Sequence, residues 1–393
     1  LLMFGKNKKN DKNDERVPSK RHGRGKRWRV RNDGAATVLF DNKKVAERYD
    51  ADTRSDMSRG QYIDPRSGRT LIRDYGETWR RDQLHRPRSV ERVEQALRLH
   101  VYPVIGHIPI ADAKRSHIRS WVKDRSRVLA PVTVRWIYHV VLVPMFKSAE
   151  IDRDRGPTPC VDVTLPELPD AKYTIATPDQ VWALADSIDP RYRAVPILVA
   201  GCGHRAGEVF GQEVDQVDFL GREVSIRQQA VKLVREPVHL AEPKTKYSVR
   251  TVELSTVVSE ELARHIQLFP PPLLDLEDRT DPRKPKTRGA RLLFTDEDGR
   301  PVKAREFSDV WRPAVKAAGL PLGYGLRDLR HYYATLLIYG GANVKTVQMS
   351  LGHSTPTVTL NTYLGYWPDM LDRTRTLVDD ALKRPVDSST VSV

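Results

Sequence analysis

Hydrophobic and polar positions change their spacing several times along the chain, and each spacing predicts a different element. Alternating apolar and basic residues at 27–31 and an apolar segment at 36–40 flank a turn sequence, Asn-Asp-Gly at 32–34, which predicts a hairpin. Asp41 can cap a helix over about 42–57. The first sixty residues therefore predict a small strand-strand-helix module with basic residues on its sheet.

From residue 71 to about residue 151 the apolar positions recur at helical intervals, which predicts four helices in a compact bundle. Arginine, lysine and histidine lie between the apolar positions, as in 80–88 and 114–127. These charges are either a solvated face or a surface that contacts phosphate. Five prolines between residues 152 and 178, with no sustained helical period, predict a domain boundary.

Beyond this boundary the pattern is mixed, which predicts a helical domain that contains a small antiparallel sheet. The predicted strands are 223–229, 237–240 and 248–254. The predicted helices are 179–187, 194–199, 207–212, 256–269, 303–318, 327–339, 344–351, 356–364 and 368–383. The proline-rich stretch 270–290 is expected to be a loop.

Length and composition fit two or three domains of a globular protein rather than a membrane protein. The chain has 393 residues, of which 39% are hydrophobic and 30% charged, and no apolar run approaches the roughly 18 residues that span a bilayer. The two cysteines, Cys160 and Cys202, lack metal-ligand spacing, and no leader with a cleavage site opens the chain. We therefore expect a cytoplasmic protein.

A formal net charge of +15 points to a polyanionic partner, with nucleic acid first among the candidates. The excess is uneven, because the first 31 residues hold twelve lysines and arginines against three acidic residues. Such a segment suits phosphate contact, but a solubilising tail would have the same composition.

Four clusters in the second half carry candidate chemistry. They are GCGHRAGEVFGQE, EPKTKYSVRTVEL, GLRDLRHYYATLLI and LGHSTPTVTLNTYLGYWPDM. Phosphate-loop, HExxH and GxSxG motifs are absent from the sequence. In order and spacing the four clusters resemble the tyrosine recombinase (phage integrase) family over about residues 172–380. The resemblance implies an α+β catalytic domain that cuts and rejoins DNA through a phosphotyrosine, with no metal and no cofactor.

Planar guanidinium groups can neutralise two phosphate oxygens at once, which suits phosphodiester cleavage without a metal. Arg205 and Arg330 match the family's two catalytic arginines. Glu208, three residues after Arg205, matches the acidic position that supports the site, although a simple ion pair within one helix would look the same.

The remaining family positions supply a proton donor, a phosphate ligand and a nucleophile. Lys244 matches the lysine that protonates the leaving 5′ oxygen, with Lys246 as its competitor two residues later. His353 matches a hydrogen-bond donor to the phosphate. Tyr363 matches the nucleophile, and the spacing from His353 favours it over Tyr366.

One position departs from the family pattern. Arg327 stands where the family more often has histidine, and arginine cannot accept a proton near neutral pH. We expect Arg327 to be an additional phosphate ligand. His331 is not expected to act as a base, because adjacent helical positions such as 330 and 331 point about 100° apart.

The resemblance also implies a multidomain, mainly α chain with small antiparallel sheets. The expected parts are a basic flexible tail (1–21), an arm-type DNA-binding module of β-β-α form (22–62), a helical core-binding domain of SAM-like type (69–153), a linker (154–177), the catalytic domain (178–383) and a flexible tail (384–393). The expected DNA-binding residues are Lys26, Arg27, Arg29, Arg31, Lys114 and Arg115.

The partners implied are double-stranded DNA at attachment sites, further copies in a homotetramer, and an excisionase or a DNA-bending host protein. During action the enzyme would associate with the bacterial nucleoid. A helix over 370–383 has an apolar face that packs either on a neighbouring subunit or within its own domain.

Three other functions share much of this pattern. A type IB topoisomerase uses the same phosphotyrosine, a decayed integrase would bind DNA without cutting it, and a chromosome-dimer resolvase performs the same chemistry. The two N-terminal modules and the short interval from His353 to Tyr363 favour the integrase of a phage or an integrative element.

Overall fold

The computed structural model describes residues 2–3, 28–32, 37–58, 67–169, 174–234 and 236–363. The chain divides into two compact units, Leu1–Asp170 and Ala171–Val393. Within the described residues, no helix is both long enough and apolar enough to cross a membrane.

The first unit begins with a small sheet and one helix. Its elements are strands β1 (Leu2–Met3), β2 (Trp28–Val30) and β3 (Val38–Phe40) and helix α1 (Lys43–Ser58). Strand β2 pairs antiparallel with both neighbours, and Val30 and Ala46 are buried between sheet and helix. The predicted hairpin and helix are confirmed. Of the predicted tail 1–21 the structure describes only Leu2–Met3, which form strand β1.

A helical bundle follows in residues 67–169, and the predicted four helices are confirmed. They are α2 (Ile72–Asp82), α3 and α4 (Pro87–Ala96 and Tyr102–Ile105, joined by a π turn at Leu97–Val101), α5 (Arg115–Arg125), and α6 and α7 (Pro131–Ile137 and Val143–Ile151, joined by a π turn at Tyr138–Leu142). Each π turn lies next to a proline, Pro103 or Pro144, which lacks the N–H that a regular helix requires.

The first residues of the predicted linker, which follow α7, pack on this bundle. The Tyr138 hydroxyl donates to the carbonyl of Cys160 over 2.9 Å. Cys160, Val163 and Leu165 contact the apolar core around Trp121. The division between the compact units falls at residues 170 and 171, within the predicted boundary region 152–178.

The second unit is mainly helical, which confirms the predicted fold class. Its helices are α8 (Pro178–Ser187), α9 (Ala194–Cys202), α10 (Ala206–Phe210), α11 (Thr256–Leu268), α12 (Ala304–Ala317), α13 (Leu326–Tyr339), α14 (Val344–Leu351) and α15 (Pro356–Tyr363). Helix α9 is apolar and buried along almost its whole length, and α8, α11 and α13 pack around it. The predicted helix over 368–383 lies outside the described residues.

Two small sheets, rather than the one predicted, complete this unit. Strands β4 (Val217–Asp218), β5 (Glu223–Ile226) and β8 (Arg250–Glu253) form an antiparallel sheet. The other sheet has the order β10-β9-β7-β6, formed by Lys286–Ala290, Leu274–Arg279, His239–Ala241 and Gln229–Val231. Strands β7 and β9 in it are parallel.

The hairpin of β9 and β10 shows that the prediction of a loop over 270–290 is wrong. Along β9 the buried positions are Leu276 and Asp278, so an acidic residue occupies an inward position. The Asp278 carboxylate accepts a hydrogen bond from Arg288 Nε over 2.7 Å. This ion pair replaces an apolar contact, so the alternation of apolar and polar residues that marks a strand is lost from the sequence.

Candidate active site

Two glycine turns bring helix ends to one place in the second unit. Helix α9 ends at Gly203 and α14 ends at Gly352, both in the left-handed region with φ of 64° and 63°. A Cβ atom on Gly203 would lie 2.4 Å from Cδ1 of Tyr333, and one on Gly352 would lie 2.7 Å from the carbonyl oxygen of Tyr247. Both turns therefore require glycine, and the carbonyl ends of two helices attract cations.

Arg205 and Arg330 bind these carbonyl ends. Arg330 is buried and donates from one Nη atom to the carbonyl of Gly203 and from the other to that of Leu351. Arg205, which precedes α10, donates from Nη2 to the carbonyl of Gly352 over 3.1 Å and keeps 32% of its side chain exposed. Two arginines 125 positions apart in sequence thus converge, with Arg205 on the open side.

A third arginine, Arg250 on β8, joins the same cluster and was not singled out from the sequence. Its Nε donates to the carbonyl of Ser350 over 2.8 Å, and Nη1 donates to the carbonyl of Ser248 over 2.9 Å. Its Nη2 donates to Glu208 Oε2 over 3.0 Å, and its side chain is 5% exposed. Arg250 therefore holds β8 against α10 and the end of α14.

Glu208 lies between the three guanidinium groups. Its Oε1 accepts from Arg205 Nη1 over 2.7 Å, and its side chain is 2% exposed. Burial alone would raise the pKa of Glu208, but the charges of Arg250, Arg205 and Arg330 outweigh it and lower the pKa to about 2. One carboxylate against three cations leaves a net positive site, which favours an anionic ligand.

Tyr363, at the end of α15, lies beside this cluster with its side chain 1% exposed. Its hydroxyl is 2.7 Å from Nδ1 of His331, although His331 directly follows Arg330 on α13. Burial, and then the charges of Arg327 and Arg330, lower the pKa of His331 to about 4. The sequence pattern of α13 does not reveal this contact between His331 and Tyr363, because Tyr363 comes from another element.

His353 follows the second glycine turn and stacks beside the tyrosine. Its ring centroid is 6.5 Å from that of Tyr363, with 9° between the two planes. Its Nδ1 is 2.9 Å from the hydroxyl of Thr359, which is fully buried. Burial, and then Arg330 and Arg205, lower the pKa of His353 to about 3, so the ring is neutral at neutral pH.

Lys244 lies in a bend after β7 and is exposed. Its amine makes no hydrogen bond or ion pair with the part of the chain that the structure describes. The following residue, Thr245, has its hydroxyl 3.0 Å from that of Ser248, which accepts from Arg205 Nη1 over 3.1 Å. The lysine segment is thus connected to the arginine cluster while the lysine itself extends into solvent. The competitor Lys246 lies with Nζ 5.2 Å from the centroid of the Tyr247 ring.

Arg327 is exposed on the first turn of α13, and its Nε lies 3.4 Å from Nε2 of His331. The structure therefore brings together Arg205, Glu208, Arg327, Arg330, His353 and Tyr363, and leaves only the Lys244 side chain without a defined contact to the group. Tyr366 lies outside the described residues. In the described ranges, no group of three or more histidine, cysteine or acidic side chains could hold a metal ion.

The residues expected to contact DNA lie in the first unit, and part of them can be located. Arg29 and Arg31 are on and just after β2, and Lys114 and Arg115 are at the start of α5. Arg115 Nη1 is 3.4 Å from Asp162 Oδ2, with 49% of the arginine side chain exposed. Lys26 and Arg27 lie outside the described residues.

Comparison with known proteins gives one consistent result. The sequence pattern of the phage integrase family matches residues 175–366. The integrase of Mycobacterium phage D29 is 23% identical over 328 residues, which cover 81% of this chain and 82% of that protein. The tyrosine recombinase XerD of Corynebacterium glutamicum is 25% identical over 265 residues, which cover 64% of this chain and 78% of that protein.

Two solved structures share the fold. The integrase of the transposon Tn1549 (residues 82–397 of that protein), in complex with transposon right end DNA, matches with a TM-score of 0.67 and 20% identity, covering 80% of this chain and 100% of that one. A lambda integrase dimer bound to a COC′ core site matches with a TM-score of 0.56 and 13% identity, covering 76% of this chain and 96% of that one.

Proposed function

Because this chain belongs to the tyrosine recombinase (phage integrase) family, we propose that Tyr363 cuts double-stranded DNA at attachment sites and forms a 3′-phosphotyrosine. The observation that carries this proposal is the position of the Tyr363 hydroxyl, 2.7 Å from His331 and beside a net positive cluster of arginines. A phenol in that position can attack a phosphate bound by the cluster. A second DNA end then reverses the step, so integration or excision of a mobile element needs no ATP.

The arginines would bind the two non-bridging oxygens of the scissile phosphate. Arg205 is the most open of the three clustered guanidinium groups, with 32% of its side chain exposed, and the direction of buried Arg330 is fixed by two carbonyl oxygens. Phosphate charge grows as the phenol attacks, and donors that are already oriented stabilise it without reorganising. Glu208 and Arg250 would orient these donors, and exposed Arg327 would add a further one.

His353 and Lys244 would complete the reaction. If the buried hydroxyl of Thr359 donates to Nδ1 of His353, Nε2 carries the proton and donates to the phosphate. Lys244 is exposed and has a flexible side chain, so it can reach the 5′ oxygen and protonate it as it leaves. Without that proton, an alkoxide would have to leave.

DNA binding would involve both units. The arm-type module (22–62) and the helical core-binding domain (69–153) would contact DNA through Arg29, Arg31, Lys114 and Arg115, together with Lys26 and Arg27. We propose a homotetramer assembled on DNA, assisted by an excisionase or a DNA-bending host protein. The site of action would then be the bacterial nucleoid.

The test is covalent trapping. The purified full chain is incubated, without metal or ATP, with nicked duplexes tiled across the genomic DNA that flanks its coding sequence. The nick lets the short 5′ strand diffuse away, so the intermediate accumulates. We expect an adduct that survives denaturant with the wild type and with Tyr366→Phe, and none with Tyr363→Phe.

Tyr366→Phe is the matched control, because it removes the competing phenol three residues away. Tight binding of a duplex without any adduct would overturn the proposal in favour of a protein that only occupies DNA. An adduct that persists in Tyr363→Phe and disappears in Tyr366→Phe would move the nucleophile to Tyr366.

A further inference from the structure

His331 lies where a proton acceptor for Tyr363 would have to be. Its side chain is buried, and its Nδ1 is 2.7 Å from the tyrosine hydroxyl. The two ring centroids are 5.3 Å apart, with 62° between the planes. This distance and the burial of both rings describe a direct hydrogen bond that water does not replace.

The reaction requires such a group. A tyrosine phenol has a reference pKa near 10, so at neutral pH its proton must be removed as the oxygen attacks phosphorus. The arginines around the phosphate are donors and cannot accept that proton. Arg327, one turn before His331 on α13, has the same limitation.

We propose that His331 Nδ1 accepts the phenol proton of Tyr363 as the phenol oxygen attacks the phosphate. This inference rests on the proposed function. The O–H bond of the tyrosine breaks, a bond forms between its oxygen and phosphorus, and the bond from phosphorus to the 5′ oxygen breaks. The 5′ oxygen takes its proton from Lys244, and the imidazolium of His331 returns its proton when the tyrosine leaves in the second step.

The charges around the ring keep it neutral and able to accept. Burial comes first among the causes that lower the pKa of His331 to about 4, followed by Arg327, while Asp328 opposes and Arg330 adds to the effect. Tyr363 and His353 face the ring from α15 and the loop before it. A bound phosphate would offset the arginines, raise the pKa of His331 and make it a stronger base.

The position of the ring proton is the point on which this role depends. Acceptance at Nδ1 requires the proton of the neutral ring to be on Nε2. In the structure Arg327 Nε donates to Nε2 over 3.4 Å, at the long limit for a hydrogen bond. A proton on Nε2 therefore requires the exposed Arg327 side chain to turn away from His331, towards a phosphate. A proton on Nδ1 would instead make His331 a hydrogen-bond donor to the tyrosine oxygen.

The experiment measures single-turnover adduct formation from pH 6 to pH 10 on two nicked duplexes. One has the natural 5′ oxygen at the scissile phosphate, and the other has a bridging 5′ sulfur, which leaves without a proton. We expect His331→Gln to react about 10²–10³-fold more slowly at pH 7 on both substrates. Its rate should rise about tenfold per pH unit, because hydroxide then removes the phenol proton.

Two further variants separate this role from others. Lys244→Ala should react slowly on the oxygen substrate and regain its rate on the sulfur substrate. His331→Gln should stay slow on both substrates. Thr335→Val removes the hydroxyl that donates to the His331 carbonyl over 2.8 Å. It should keep the pH profile of the wild type. A His331→Gln enzyme with the wild-type rate, or a slower one with the wild-type pH profile, would overturn the inference.

A second measurement does not depend on cleavage. Nitrogen-15 spectra of histidine-labelled protein should show the proton of the His331 ring on Nε2, and the Nδ1 signal should shift in Tyr363→Phe. A proton on Nδ1 would overturn the inference. If the wild type forms no adduct with any duplex, the proposed function fails, and the nitrogen spectra still decide whether Nδ1 is an acceptor.

Discussion

Each unit of the chain buries an arginine against backbone carbonyls, with different results. In the first unit Arg155 donates to the carbonyls of Ile110, Ala113, Gly156 and Pro157 over 3.0 to 3.1 Å. Four of its five N–H groups are used within the protein. In the second unit Arg330 also donates to two carbonyls. Burial lowers the pKa of Arg330, and the nearby positive charges of Arg205 and Arg250 lower it further.

The difference is what lies next to the guanidinium group. Arg155 lies beside the ring of Phe146, at 5.2 Å, and holds the segment after α7 on the bundle. Arg330 lies close to two other cations, to a single carboxylate and to the candidate nucleophile. They are Arg205, Arg250, Glu208 and Tyr363. A buried arginine is therefore no evidence of a site by itself. Several uncompensated cations around a nucleophile are such evidence.

The largest expected difference between the two units is in their stability at acid pH. His204 is fully buried, and burial, followed by Arg250, lowers its pKa to about 3. A folded pKa below the reference of 6.5 gives stability that is present above pH 6.5 and is lost as the pH falls towards 3. The loss is about 5 kcal/mol when complete. Glu208, with its pKa at about 2, adds a further loss between pH 4.5 and pH 2.

Hydrogen exchange followed by mass spectrometry, corrected for intrinsic rates, checks this prediction. Segments of the second unit should lose protection between pH 6.5 and pH 4 while α5 and α7 of the first unit keep theirs. His204→Gln removes the ionising ring and should reduce the difference. Equal loss of protection in both units would contradict the prediction.

The next effect concerns cleavage rather than folding. Arg330→Lys keeps a positive charge but loses the planar fork that the transition state would use. We expect adduct formation to fall about 10²–10³-fold. Duplex binding, measured by fluorescence anisotropy, should change less than tenfold. A fall in binding that matches the fall in cleavage would mean that Arg330 acts only by holding the DNA.

Arg155→Met should reduce the stability of the protein and leave DNA cleavage nearly unchanged. The substitution removes four hydrogen bonds and leaves their carbonyls without a donor, so we expect a loss of about 3 kcal/mol in the free energy of unfolding. The cleavage rate of the folded protein should stay within about threefold of the wild type. Urea unfolding measures the first quantity, and Arg119→Met, at an exposed position on α5, is the control. Loss of cleavage without loss of stability would contradict this assignment.

The smallest effect is expected at the surface of the bundle. Arg115→Ala breaks an exposed pair with Asp162 and should change stability by less than about 1 kcal/mol. If Arg115 contacts a phosphate, the slope of log K for DNA binding against log salt concentration should decrease by about one in Arg115→Ala. Asp162→Ala breaks the same pair but keeps the cation, so it should not weaken binding. An unchanged salt dependence in Arg115→Ala would remove it from the DNA surface.

Local pattern predicted most of the helices, and α14 matches its predicted bounds of 344–351. The residues of the candidate site could also be predicted, because four short motifs name them. The contacts of Arg250 and His331 could not. Arg250 reaches Glu208 across 42 positions and His331 reaches Tyr363 across 32, and spacing along one helix contains no information on a partner from another element.

The two glycine turns have a consequence for the genetics of this protein. Any missense change of a glycine codon introduces a side chain, and at Gly203 and Gly352 every side chain meets both a strained φ and an occupied space. A saturation library screened for recombination should therefore be as intolerant at these two codons as at the arginine codons. When a gene of this kind loses its activity by mutational drift, a substitution at one of these glycines would often be the cause, and every catalytic side chain would still be present.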